Sequence, residues 1–234
     1  MRLRHLVFPL FAAVACADPP RAAVNAGPPA DLVVSVGHAG APQVAAFVAD
    51  LLVTGSWSNI ALIDLSTGLT IAHLPQESLV TTIEASPTDD VIAVGTCGHA
   101  VQLWNVKTRS LVRRIALSQE CSESVAFSPD GSLLAVAAYG CCRDRGLQVW
   151  DLQSGALKQD LATSSGIRSV AFSRDGGSLV GVDDDGKATV FEWPSGRHLQ
   201  SFDGLEGPGF PETAALLSPD GRYFVWQGMR DLKI

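Results

Sequence analysis

An internal repeat of about 40 to 45 residues restricts the fold of this sequence more than any other feature. The segment AFSPDGSLLAVAAYGCCRDRGLQVWDLQSG (126–155) is matched downstream by AFSRDGGSLVGVDDDGKATVFEWPSG (171–196) and upstream by EASPTDDVIAVGTCGHAVQLWNVKTR (84–109). An earlier copy is AFVADLLVTGSWSNIALIDLSTG (46–68), and a fifth begins with LLSPDGRYFVWQG (216–228). Self-similarity at such a period indicates a series of similar supersecondary units.

Two independent markers give the same period. A serine opens a turn in four copies, at intervals of 42, 45 and 45 residues: Ser86, Ser128, Ser173 and Ser218. A strand-end position recurs at intervals of 41, 46 and 41 residues: Ile63, Trp104, Trp150 and Phe191. Short runs of β-forming residues alternate with turns such as Ser-Pro-Asp-Gly, in which proline sets φ and glycine accepts a positive φ. Four such runs per unit predict the blade of a β-propeller.

The same residues resemble the WD-repeat family. The resemblance covers about residues 31–234 and rests on the Trp-Asp pair at 150–151, the Trp-Asn pair at 104–105, the S-P-D-G turns and Gly-His at 37–38. It implies an all-β fold, a β-propeller of the WD-repeat type with four full four-stranded blades and a partial fifth. The blades are expected at about 41–74, 79–117, 122–162, 167–203 and 212–234.

The ends of the repeat leave two arrangements open. Residues 32–36, LVVSV, stand where the WD-repeat family has the outer strand of a blade, and the fifth repeat lacks that strand. The N-terminal strand would then complete the C-terminal blade, and closure of the ring would remove sheet edges that recruit other chains. The favoured alternative is a longer propeller cut within a repeat, because Ile234 aligns with Val149, just before the Trp-Asp pair.

The N-terminal sequence MRLRHLVFPLFAAVACADPP is typical of a secretory signal peptide. Two arginines precede an apolar run over residues 6–14 that is too short to span a bilayer. The stretch Ala-Val-Ala-Cys over 13–16 resembles the lipobox of bacterial lipoproteins, which implies that Cys16 is lipidated; ordinary signal cleavage is the alternative. We therefore expect a signal peptide over 1–15, a Pro- and Ala-rich tether over 16–30 and a propeller domain over 31–234.

The charge balance bears on the partners. The chain has 17 Lys and Arg against 24 Asp and Glu, and its formal net charge is −7 at pH 7. No Lys/Arg cluster stands out on any one element, so we expect no nucleic-acid partner, because phosphate binding needs a basic face. The apolar segments after Cys16 are short, so membrane contact is expected only through the lipid anchor.

Four cysteines remain once Cys16 is set aside, and they are Cys97, Cys121, Cys141 and Cys142. An even number in an exported domain predicts disulfide bonds, and four cysteines allow three pairings. In the layout of the WD-repeat family, all four lie in loops of neighbouring blades on one face of the disc. On that layout the favoured bridge joins Cys121 to Cys141 or Cys142.

Two other readings of these cysteines stay open. A zinc site is the first, because His99 lies two residues from Cys97 and zinc accepts both residue types. A reactive thiol is the second, because Arg143 and Arg145 provide positive charge beside adjacent cysteines.

No catalytic arrangement is evident in the sequence. It has no H-E-x-x-H, no G-x-S-x-G and no phosphate-binding loop. The carboxylates at 183–185 precede Gly186 in a predicted tight turn, and they lack the alternation and distal Glu of an EF-type calcium loop. We therefore expect a non-catalytic protein with no cofactor and no metal.

The resulting hypothesis is an exported, lipid-anchored propeller in the periplasm or cell envelope that binds protein partners through its loops. The residues expected to contact a partner are Trp57, His99, Arg143, Asp144 and Arg145. One alternative is a propeller-fold hydrolase or lyase that acts on an extracellular polymer. Another is a fragment of a longer propeller protein.

Overall fold

A computed structural model of the 234-residue chain describes residues 44–57, 59–139, 146–161, 163 and 165–202. It also describes the backbone of three strands at 215–217, 224–227 and 232–233. All secondary structure in this described part is β-strand and turn. No helix suited to crossing a membrane occurs among these residues.

In the part of the chain that the structure describes, nineteen strands form five antiparallel sheets. The first blade contains β1 (Val44–Val48), β2 (Leu51–Ser56), β3 (Asn59–Asp64) and β4 (Thr70–Pro75). The second contains β5 (Val80–Ala85), β6 (Val91–Thr96), β7 (Ala100–Asn105) and β8 (Ser110–Ala116). The third contains β9 (Cys121–Phe127), β10 (Leu133–Tyr139), β11 (Gly146–Asp151) and β12 (Leu157–Leu161). The fourth contains β13 (Ile167–Phe172), β14 (Ser178–Asp183), β15 (Ala188–Glu192) and β16 (His198–Phe202). The fifth sheet contains β17 (Ala215–Leu217), β18 (Phe224–Gln227) and β19 (Leu232–Lys233).

The sheets follow one another as the blades of a propeller. Within each sheet the strands pair in chain order, and the first strands β1, β5, β9, β13 and β17 contact one another in succession. These five are therefore the inner strands, and the fourth strand of each complete blade is the outer one. The predicted all-β propeller with four four-stranded blades is confirmed. The strand expected at 32–36 and the Gly-His pair at 37–38 lie outside the described residues.

Side-chain hydrogen bonds close the turns between inner and second strands. In the third blade Ser128 Oγ donates to Asp130 Oδ1 at 2.5 Å and accepts from Leu133 N at 2.9 Å. Gly131, with φ of 70°, provides the left-handed residue that the turn requires. The bond from Ser128 holds the pKa of Asp130 below its ordinary value. The turn that begins at Ser173 repeats the pattern, so the recurring serine has a local structural cause.

The apolar core is divided into layers between neighbouring blades. In β10, Leu134 and Val136 join a cluster shared with the second blade. Ala135 and Ala137, which alternate with them, join a cluster shared with the fourth blade. The third blade therefore buries both faces of its sheet, and its packing depends on the blades on both sides.

Candidate functional site

One end of the propeller carries the connections between second and third strands and those between successive blades; we call it the loop face. Backbone hydrogen bonds link these connections across blades. Val80 N donates to Trp57 O at 3.3 Å, between the first and second blades. His99 N donates to Glu120 O at 3.0 Å, and Leu117 N donates to His99 O at 2.8 Å. The second blade is thus tied at this face to the segment that enters the third.

A disulfide bond crosses the same boundary. The Sγ atoms of Cys97, after β6, and Cys121, at the start of β9, are 2.09 Å apart. In the same loop, His99 has a left-handed φ of 54°, and its backbone N donates to Glu120 O, next to Cys121. The prediction that Cys121 forms its disulfide with Cys141 or Cys142 is therefore wrong. Those two cysteines lie outside the described residues.

A β-bulge recurs near the loop face in three inner strands. The ladder skips Thr81 in β5, Glu123 in β9 and Arg168 in β13, and each lies between two paired residues. A bulge leaves its extra residue unpaired and turns that side chain in a new direction. We call these three residues the bulge row.

The bulge row makes polar contacts from blade to blade. Thr81 Oγ1 donates to Ser122 O, in the third blade, at 2.5 Å. Arg168 Nη1 lies 3.9 Å from Glu123 Oε2, and Arg168 Nε donates to Asp184 Oδ1. These contacts fix the inner ends of three neighbouring blades at the loop face.

Trp57 is the most exposed aromatic side chain in the described part of the chain. It lies in the turn between β2 and β3, and its fractional exposure is 65 %. His99 is also exposed at this face, as are Glu77 and Glu120. A large exposed aromatic residue among polar groups is the kind of side chain that anchors protein interfaces.

The carboxylates after β14 serve their own turn. Asp183 Oδ1 accepts hydrogen bonds from Asp185 N at 3.0 Å and Lys187 N at 2.8 Å, and Gly186 has φ of 72°. This is the tight turn expected from the sequence. Among the described residues, no group of three or more His, Cys, Asp or Glu side chains is placed to hold a metal ion.

Some predicted site residues cannot be placed. Cys16 and the contact residues Arg143, Asp144 and Arg145 lie outside the described residues. Conversely, sequence reasoning missed the bulge row. Its members differ in residue type, and a bulge is defined by pairing across the sheet, so the sequence of one strand carries no direct signal for it.

Glu84 was also missed, although the repeat could have revealed it. It stands on β5 opposite Ala93, where the third blade has Ala126 opposite Ala135. Ala93 belongs to the apolar cluster between the second and third blades, so Glu84 faces that layer. It makes no ion pair or hydrogen bond within the described structure, and burial raises its pKa to about 7.

Comparison with known proteins agrees with the propeller. The family model described as "WD domain, G-beta repeat" matches residues 119–151 and 155–192. These two matches cover the third and fourth blades, from just before β9 to the end of β15.

Curated relatives carry the same type of repeat. The chain is 32% identical over 141 residues to "WD repeat-containing protein SL1-17" of Schistosoma mansoni, covering 60% of this chain and 46% of that protein. It is 33% identical over 105 residues to "WD repeat and SOCS box-containing protein 1" of Mus musculus, covering 44% and 24% respectively. It is 26% identical over 151 residues to "Uncharacterized WD repeat-containing protein sll1491" of Synechocystis, covering 64% and 41%. The chain thus spans less than half the length of each of these relatives. Its fold is a β-propeller of the WD-repeat type.

Proposed function

We propose that this chain is a non-catalytic scaffold that binds a protein partner through its loop face. The observation that carries the proposal is the exposed Trp57, 65 % accessible, on a face whose backbone is fixed from blade to blade. A rigid face loses little conformational entropy on binding, and an exposed tryptophan offers a large apolar area to a partner.

The loop at 97–99 supports this function by presenting His99 in a fixed position. The Cys97–Cys121 disulfide holds one end of the loop, and the hydrogen bonds of the His99 backbone to Leu117 and Glu120 hold the other. His99 therefore belongs to the proposed contact surface with Trp57. Arg143, Asp144 and Arg145, in the corresponding loop of the third blade, are proposed to extend it.

We further propose that the protein is exported and anchored by a lipid on Cys16. The N-terminal pattern of charge, apolar run and Ala-Val-Ala-Cys supports export. The disulfide between Cys97 and Cys121 supports an oxidising compartment, because such bonds are rare in the cytosol. A periplasmic or envelope location agrees with both observations.

The binding proposal is tested with a matched pair of variants. The purified domain is immobilised, and proteins captured from an envelope fraction of the source cell are quantified and identified by mass spectrometry. Trp57→Ala is expected to lower capture of a specific partner at least tenfold. Leu69→Ala is the control, because Leu69 is similarly exposed, at 66 %, but follows the third strand at the opposite end of the blade. Equal capture by both variants would refute a role for the loop face.

The anchoring proposal is tested separately in a bacterial host. The full chain is expressed with radiolabelled palmitate, and Cys16→Ala serves as the control. We expect label in the wild-type chain and none in the variant. Secreted but unlabelled wild-type protein would establish ordinary signal cleavage and exclude the anchor.

A further inference from the structure

We propose that the outer strand of the second blade, β8, is a second docking site, which adds an extended acidic segment of a partner protein as a further β-strand. It lies on the rim of the propeller, and its C-terminal end adjoins the loop face. The docking segment, which we call the β8 edge, comprises residues 109–116. The proposal rests on the charge, the exposed apolar residues and the unprotected edge of this strand.

The β8 edge is a local concentration of positive charge in an acidic chain. Arg109, Arg113 and Arg114 fall within six consecutive residues, whereas the formal net charge of the chain is −7. None of the three forms an ion pair with a carboxylate in the described structure, whereas nearby Lys107 pairs with Asp90 at 2.7 Å. The expectation that no element carries a cluster of Lys and Arg was therefore wrong for this segment.

The arginines are held beside the edge. Arg113 Nη2 donates to Gln153 O in the third blade at 3.2 Å, and Arg114 Nη2 donates to Gly98 O at 3.1 Å. Each guanidinium has five N–H donors and uses one of them in the bond just described, so the others can donate to carboxylates of a partner. Because backbone carbonyls are uncharged acceptors, the positive charge stays uncompensated.

Exposed apolar residues lie between these charges. Leu111 is 45 % exposed and Val112 is 57 % exposed. Val112 is the bulged residue in the pairing of β8 with β7, and the equivalent residue in the third blade is Lys158. Exposed β-branched residues on an edge strand favour pairing with another strand, and lysine at an edge opposes it.

The other outer strands are shorter or better protected. β12 and β16 have five residues each, and β12 carries Lys158 and Asp160. β4 ends at Pro75, which has no N–H to donate. β8 has seven residues and no proline, so it offers the longest edge among the described outer strands, with one bulge at Val112.

Charge decides between the possible occupants. A second copy of this chain that paired through β8 would bring its own arginines opposite these, and like charges across a strand pair are destabilising. A partner segment that alternates carboxylates with β-branched residues satisfies both the arginines and the apolar side chains. Main-chain hydrogen bonds would supply affinity, and the side chains would supply specificity, as in other cases of strand addition.

The test uses a fluorescent six-residue peptide that alternates glutamate and valine, titrated against the full chain by fluorescence anisotropy. We expect saturable binding. A peptide of alternating lysine and valine should not bind, and a glutamate–valine peptide N-methylated at every backbone amide should lose at least tenfold in affinity, because neither of its edges can donate the hydrogen bonds of a strand pair. Amide resonances of β8 should shift on binding.

Two matched variants locate the site. Arg109→Glu/Arg114→Glu should weaken binding of the glutamate–valine peptide at least tenfold. Lys158→Glu/Arg174→Glu, an identical charge change on exposed residues of the third and fourth blades, should weaken it less than threefold. The melting temperature of each variant shows whether it is folded. If the first variant is unfolded, the shifts of the β8 amide resonances in the wild-type chain show whether the peptide binds at β8.

Three results would overturn the proposal. One is an absence of saturable binding by the glutamate–valine peptide. Another is equal binding by the N-methylated peptide, which would mean charge attraction without strand addition. The third is tight binding to vesicles of phosphatidylglycerol with none to the peptide, which would make the β8 edge a membrane contact instead.

Discussion

The two interfaces on either side of the third blade have similar apolar layers, but different bonds link the blades at the loop face. Each layer contains a cluster of ten buried apolar residues among those described. Between the second and third blades the loop face is closed by the Cys97–Cys121 disulfide and by the Thr81–Ser122 hydrogen bond. Between the third and fourth blades it is closed by the contacts of Arg168 with Glu123 and Asp184.

The first of these interfaces also differs from the second at Gly95 and Glu84. A Cβ added to Gly95 would lie 2.4 Å from Thr82 Cγ2 and 2.5 Å from Ser122 Oγ, whereas Ala137 occupies the equivalent place in the third blade. The same interface contains the carboxyl of Glu84, where the other interface has Ala126. Close approach and covalent closure thus occur together with a destabilising buried acid. Equivalent blades can therefore be joined by different means.

The largest expected effect comes from removing the covalent bridge. The double variant Cys97→Ser/Cys121→Ser should lose about 3 kcal/mol of unfolding free energy, because the bond closes a loop with a sequence separation of 24. Urea unfolding without reductant measures the loss. The control is dithiothreitol, which should lower the unfolding free energy of the wild-type chain to that of the variant and leave the unfolding free energy of the variant unchanged. A wild-type chain that is fully reduced yet equally stable would show that the bridge adds nothing.

An intermediate effect, opposite in sign, is expected at Glu84. Its pKa is about 7 when folded and has an ordinary value of 4.5, so the folded chain retains the proton longer than the unfolded chain. The stability that depends on the protonated Glu84 carboxyl is therefore fully present below about pH 4.5, and it is lost as the pH rises through about 7. Glu84→Gln should raise the unfolding free energy by about 2 kcal/mol at about pH 8 and leave it nearly unchanged at about pH 4.

Paired denaturation curves at the two pH values measure this difference. The matched control is Glu77→Gln, because Glu77 is an exposed acid in the connection that enters the same blade. Its substitution should shift neither curve. If Glu84→Gln proves destabilising at both pH values, the carboxyl has a favourable partner and the interface is not strained by it.

The smallest effect is expected at the fourth blade. Arg168→Met should cost about 1 kcal/mol, since partly exposed ion pairs contribute little. The loss should shrink in about 1 M NaCl, which screens charges over about 3 Å. Thr81→Val is the matched control at the corresponding bulge, where a neutral hydrogen bond is lost and salt should have little influence. If the loss of unfolding free energy in Arg168→Met is the same at low and high salt, the packing of Arg168 matters more than its charge.

The sequence predicted the blade well because every element of a blade has a local signal. Ser128, Asp130 and Gly131 are close in sequence and bond to one another in the turn, so their spacing predicts the turn directly. The alternation of β-forming residues predicts strands, and the repeat predicts how many sheets there are. A propeller of four-stranded blades followed from these signals and is confirmed by the fold, whereas its WD-repeat type was implied by the resemblance to that family.

The candidate site was predicted less completely, because it depends on contacts between blades. The loop location of Trp57 could be read from its place between two strands. The partner of Cys121 could not be read from the sequence, since it depends on how the loop after β6 packs against the segment that enters β9. Glu84 is an intermediate case: the aligned repeats show an acid in the place of Ala126, but its burial appears only when the third blade packs against it.

The sequence by itself determined the repeating unit, its turns and the class of fold, because those depend on interactions between residues a few positions apart. The tertiary structure alone decided how successive units are joined, by a disulfide at one boundary and by ion pairs at the next. It also left the arginines of β8 on the rim, where they pair with no carboxylate of the described residues. The contacts that join blades link residues far apart in sequence: the separation is 24 positions for Cys97 and Cys121, and 41 for Thr81 and Ser122. Their proximity is fixed only when blades pack together, so no local pattern can encode it.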